Sequence, residues 1–90
     1  MSSLAYRVVP HAIDVRCTND ELVVSLNDGR VLSVPLAWFP RLASATPEQL
    51  ATFELLGEGE GIHWPAVDED VSVVGVLEGR ASVEYRGVRA

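Results

Sequence analysis

The sequence predicts an α+β domain: a small antiparallel β-meander of about three strands followed by two or three short helices packed on one face. Three observations predict it. Residues 12–34 hold β-branched segments separated by turn clusters. Residues 35–56 hold a proline-bounded aromatic segment and then a capped helix start. The chain has only 90 residues, 48% hydrophobic and 22% charged, which suits one globular core and leaves no room for two. A chain of this size buries only about 60–65% of its unfolded surface, so its stability margin is thin.

The first strand is Ala12-Ile13-Asp14-Val15-Arg16-Cys17. Strict period two sets Ile13, Val15 and Cys17 on one face and Ala12, Asp14 and Arg16 on the other. Thr18-Asn19-Asp20 is a turn cluster. In Glu21-Leu22-Val23-Val24-Ser25-Leu26 the apolar face is Leu22, Val24 and Leu26. Asp28-Gly29 is a hairpin signal because both residues tolerate positive φ, and Arg30-Val31-Leu32-Ser33-Val34 is the return strand. Tyr6-Arg7-Val8-Val9 extends the first strand backwards, with Pro10 confining it to an edge or a bulge.

At Pro35 the texture changes. Pro35-Leu36-Ala37-Trp38-Phe39-Pro40 allows only a short helical turn, because Pro40 disfavours helix at Phe39. Thr46-Pro47-Glu48-Gln49 is a helix start: Thr46 caps, Pro47 takes the first helical position, and Gln49 completes a capping box. That helix is expected to end near Leu55 or Leu56, before Gly57, Gly59 and Gly61. Ile62-His63-Trp64-Pro65 is short and extended. Residues 71–77 admit two readings: a strand, on β-branched content, or a helix capped by Ser72 and stopped by Gly79. The chain divides into an N-terminal extension or edge strand (1–11), a single domain (12–79) and a flexible C-terminal tail (80–90).

Thirteen acids oppose seven arginines, the net charge is −6, and there is no lysine. Residues 1–79 carry twelve of the acids but only Arg7, Arg16, Arg30 and Arg41, whereas Arg80, Arg86 and Arg89 make the end mildly basic. Direct nucleic-acid binding needs a basic face and is not expected. Absent lysine removes P-loop phosphate binding and Schiff-base chemistry. An acidic body either serves solubility or steers a basic protein partner. One cysteine excludes a disulfide framework, and no Cys/His set has zinc spacing. The N-terminus lacks the basic and apolar regions of a secretion signal, and no apolar run is long enough for a membrane span, so a cytoplasmic protein is expected.

His63 with Asp68 and Asp70 is the sole His-plus-carboxylate cluster. Such a set can bind a divalent ion or share a proton, if the three converge. The alternative is structural: both aspartates charge-match a helix N-terminus while His63 fixes the glycine-rich loop. Cys17 has no base beside it, no serine sits in a nucleophile elbow, and the Gly57–Gly61 run carries two glutamates that repel phosphate. No enzyme signature remains and no cofactor is expected. Trp38, Phe39 and Arg41, with Trp64, either pack the core or form an aromatic anchor of a binding surface. The interaction candidates are therefore Trp38, Phe39, Arg41, His63, Trp64, Asp68, Glu69 and Asp70.

Two blocks carry a resemblance. Asn27-Asp28-Gly29-Arg30 runs through Val34-Pro35-Leu36-Ala37-Trp38-Phe39-Pro40-Arg41-Leu42. Gly61-Ile62-His63-Trp64-Pro65 leads to Asp68-Glu69-Asp70-Val71-Ser72-Val73 and ends Leu77-Glu78-Gly79. Over residues 12–79 the chain resembles the bacterial domain of unknown function 2442. The resemblance implies a small α+β domain with a short helix after the acidic triplet, although Val74-Gly75-Val76 are poor helix formers. It implies no enzyme activity and no catalytic residue. It further implies kinship with antitoxin-like members of small two-gene operons. A non-enzymatic protein-interaction or regulatory module is therefore expected, antitoxin-like and partnered by a small basic protein encoded nearby. The alternative is a small-ligand or divalent-metal domain using His63, Asp68 and Asp70. Homodimerisation is expected on physical grounds, since a marginal domain with exposed strand edges gains from pairing.

Overall fold

The computed structural model describes residues 9–85. The meander is present as β1 (Ala12–Cys17), β2 (Glu21–Leu26) and β3 (Val31–Pro35), in the order β1-β2-β3 with both pairs antiparallel. The extension of the first strand over Tyr6–Val8 lies outside the described residues. Thr18 closes the first turn by accepting bonds from the N–H groups of Asp20 and Glu21. The second turn closes with the Leu26 N–H on the Arg30 carbonyl, and Gly29 sits at φ 95°, where a side chain would be strained.

The face assignment of β1 differs from strict alternation. A β-bulge lies between Ala12 and Asp14. It adds one residue and flips the parity upstream of it. Ala12 therefore joins Val15 on the core side at 2% exposure, and Ile13 is turned out at 61%. Leu22, Val24 and Leu26 fill the centre of the inner face, as their spacing predicts.

After β3 comes a 3-10 turn (Leu36–Trp38), then α1 (Pro40–Ala43) and α2 (Pro47–Ala51). The capping box of α2 is complete. The Gln49 N–H donates to Thr46 Oγ1, and the Thr46 N–H donates to Gln49 Oε1. The helix stops at Ala51, well short of Leu55. Thr52 is extended, and the chain enters a second antiparallel sheet: β4 (Glu54–Leu56), β5 (Gly61–Trp64) and β6 (Glu69–Ser72), in the order β4-β5-β6. Residues 69–77 resolve the two readings by using both. β6 runs to Ser72, whose hydroxyl then accepts the Gly75 N–H and caps α3 (Val73–Leu77).

A backbone contact joins the sheets: the Ala12 N–H donates to the Gly59 carbonyl at 2.7 Å. The Val73 N–H donates to the Glu60 carbonyl and extends the β5–β6 ladder into α3. Gly59 is at φ 100°, and a Cβ there would lie 2.3 Å from the Ala12 oxygen, so only glycine fits. The core is one cluster drawn from both sheets and the helices, with Leu22, Leu42, Ile62 and Trp64 fully buried. Residues 80–85 of the expected tail are hydrogen-bonded back to the domain. The Arg80 N–H reaches the Gly75 carbonyl, and the Ser82 N–H reaches that of Trp38. No helix among the described residues is long and apolar enough to cross a membrane.

Candidate functional site

The register of the second sheet builds a row of charge. Glu54 on β4 faces His63 on β5, and His63 faces Asp70 on β6. Period two puts all three on the side away from Ile62 and Val71, which point into the core. The His63 Nδ1–H donates to Asp70 Oδ1 at 2.5 Å. That bond, followed by the negative fields of Asp70, Glu54 and Asp68, raises the His63 pKa above its ordinary value by favouring the charged imidazolium, against some opposing desolvation. Glu54 is the member that sequence reasoning missed. Reading residues 50–56 as helix hid the strand register that sets Glu54 opposite His63.

Asp68 does not complete a ligand set. It sits in the β5–β6 turn at φ 54°, a conformation aspartate tolerates better than most residues, with its side chain in solvent. Among the described residues no group of three His, Cys, Asp or Glu is placed to hold a metal ion. Neither aspartate charge-matches a helix: the first turn of α3 has no acid, and Asp70 is a strand residue paired to His63.

Arg41 lies across the surface and holds the chain together. Its Nε and Nη2 donate to the Glu84 carboxylate at 3.0–3.2 Å, and its Nη1 donates to the carbonyls of Asp68 and Val67. One guanidinium thus ties α1 to the β5–β6 turn and to residues 82–85. Glu69, on the opposite side of β6 from Asp70, is half-buried, and that burial raises its carboxyl pKa. The aromatic candidates divide. Trp64 is fully buried, its indole N–H donating to the Leu50 carbonyl at 3.0 Å, with the Phe53 ring centroid 6.3 Å away. Phe39 is also core at 4% exposure. Trp38 is half-buried, and its carbonyl receives the tail. The exposed set is therefore Arg41, Glu54, Asp68 and Asp70, with His63 between the carboxylates of the row.

A groove of about 590 Å³ opens on the other flank, between β1 and α2. Val15, Leu36, Leu50 and Phe53 line it, and Cys17 lies along it with its thiol pKa raised by burial. A raised pKa keeps the thiol protonated and so a poor nucleophile.

These features define a small α+β domain whose second sheet carries a carboxylate–imidazole–carboxylate row. The model of the family described as "Protein of unknown function (DUF2442)" matches residues 12–82, and the chain belongs to that family. Two solved structures are similar to it. The crystal structure of a protein of unknown function from Rhodospirillum rubrum is 29% identical with a TM-score of 0.73, over 86% of this chain and 95% of that one. The solution NMR structure of an uncharacterized protein from Chromobacterium violaceum is 32% identical with a TM-score of 0.68, over 82% of this chain and 70% of that one. A comparison with curated proteins gave no match.

Proposed function

We propose that the protein is a non-enzymatic interaction or regulatory module of the cytoplasm that binds a small basic protein, as an antitoxin binds its toxin. The observation that carries this reading is the side-chain row on the outer face of the second sheet. Glu54 and Asp70 flank one imidazole, Asp68 projects beside them, and the one arginine near them, Arg41, is held mainly by Glu84 and two carbonyls and lies 4.0 Å from Asp68. An excess of carboxylates on one face raises the association rate of a cationic partner and sets its orientation. The partner's gene is expected next to this one.

The test is affinity capture from the native host at low salt, followed by mass spectrometry. Recovery of one small basic protein near unit stoichiometry, released by salt and by the E54Q/D70N variant, is the expected result, and expression of that protein alone then arrests growth. Recovery of only this chain overturns the reading. The second reading, divalent-metal binding, draws on the His63–Asp70 pair alone. It requires the melting temperature to rise with added ion by mass action and that rise to vanish in H63A.

A further inference from the structure

We propose that β1 pairs with β1 of a second copy, antiparallel about a two-fold axis at Val15, so that Asp14 of each copy faces the partner's Arg16. The inference does not rest on the basic-partner reading and uses the opposite flank of the molecule.

β1 is an edge strand. The Thr18 N–H donates to the Glu21 carbonyl. Antiparallel alternation then turns the backbone groups of Asp14, Arg16 and Thr18 toward β2, and those of Val15 and Cys17 outward. Gly59 occupies the edge only at Ala12, and the bulge lies between Ala12 and Asp14. Val15–Cys17 therefore remains as an open stretch of edge. The groove of about 590 Å³ runs beside that stretch, with Leu50, Ala51 and Phe53 as its far wall.

The charges choose the occupant. Edge strands are ordinarily guarded by proline, by like charges or by bulges. β1 is guarded by a bulge only upstream of Asp14, and beyond it presents one acid and one base, Asp14 and Arg16, two residues apart on the same side of the strand. Both are exposed, and neither has an ion-pair partner among the described residues. Such a strand is complementary to itself. An axis at Val15 opposes Asp14 to the partner's Arg16 twice, in the non-hydrogen-bonded positions where facing side chains come closest. Moving the axis by one residue, to Arg16, opposes the two arginines and loses both pairs.

Sedimentation equilibrium of the full chain at low salt tests the pairing. A monomer–dimer equilibrium is expected. D14R and R16D should each weaken it by about tenfold or more, because two attractive pairs become two repulsive ones. The charge swap D14R/R16D should restore it to near the wild-type value. Circular dichroism checks that each variant is folded. A monomer at all concentrations overturns the proposal. So does a dimer that the single reversals leave intact, or one that the swap fails to rescue.

Discussion

The two sheets hold equal numbers of strands and are built on different principles. The strands of the first sheet are six, six and five residues long; those of the second are three, four and four. The first sheet supplies a continuous apolar face, with Leu22, Val24 and Leu26 at its centre. The second contributes Ile62, Trp64 and Val71 to the core, while Glu54, His63, Glu69 and Asp70 make up much of the remainder. Pattern alone suffices to form the first. The second forms because one large side chain anchors it. Short strands with a polar outer face have little independent stability, so packing on the meander must hold them.

The largest effect expected from breaking this asymmetry is at that anchor. Trp64→Ala removes a fully buried side chain and leaves the Leu50 carbonyl without its indole donor. The cost should be about 3–5 kcal/mol, enough to unfold a marginal domain in part or whole. If the asymmetry is real, amide exchange in a still-folded fraction speeds up in 54–72 before it does in β2. Equal loss of protection in both sheets would mean that they fold as one cooperative unit.

Next in size is the junction. Gly59→Ala drives a Cβ against the backbone of Ala12 and holds alanine at a left-handed φ. A loss of at least about 2 kcal/mol is expected, read by urea denaturation. The variant separates the sheets without touching the interior of either. Below it comes Thr46→Ala, which dismantles the capping box of α2 at a cost of about 1 kcal/mol, or roughly 4–8 °C in Tm for a domain of this size. Because α2 carries the Leu50 carbonyl that holds Trp64, the strain should again show first in the second sheet.

The same asymmetry decided what was legible in the sequence. Alternation and Asp28-Gly29 placed the meander, and the caps at Thr46 and Ser72 fell where their spacing put them. The fold class followed, as did the family. The second sheet was hidden for physical reasons. Glu54-Leu55-Leu56 are good helix formers by propensity, and all three are exposed, so no burial pattern marks them as a strand. Only pairing to β5 makes them one, and pairing is a tertiary fact. The bulge that turned Ile13 outward left no trace in a strand whose alternation looks perfect. For the candidate site, His63 with Asp70 was readable as a pair. Convergence with Asp68 was not, because a residue at φ 54° leaves the strand direction. The engagement of Arg41 depended on Glu84, 43 residues away in sequence.

The smallest expected effect is the most specific to the second sheet. His63 gains its folded-state hydrogen bond to Asp70 when it is protonated, so its pKa is raised above the unfolded value. By linkage, the stabilisation is fully present below the unfolded pKa of about 6.5 and is lost as pH rises through the folded value. The protein should therefore melt at a slightly lower temperature at pH 8 than at pH 6, once other titrations are subtracted using H63Q. Glu69 acts in a neighbouring window with the same sign. Its raised carboxyl pKa favours the protonated fold, so stability falls as pH climbs from the unfolded value near 4.3 through the folded one. The two are separable because E69Q flattens the acid limb alone and H63Q the neutral limb alone. A profile unchanged by H63Q between pH 6 and 8 would mean that the Glu54–His63–Asp70 row contributes nothing to holding β4 and β6 on β5, and that the sheet rests on Trp64 and its apolar face.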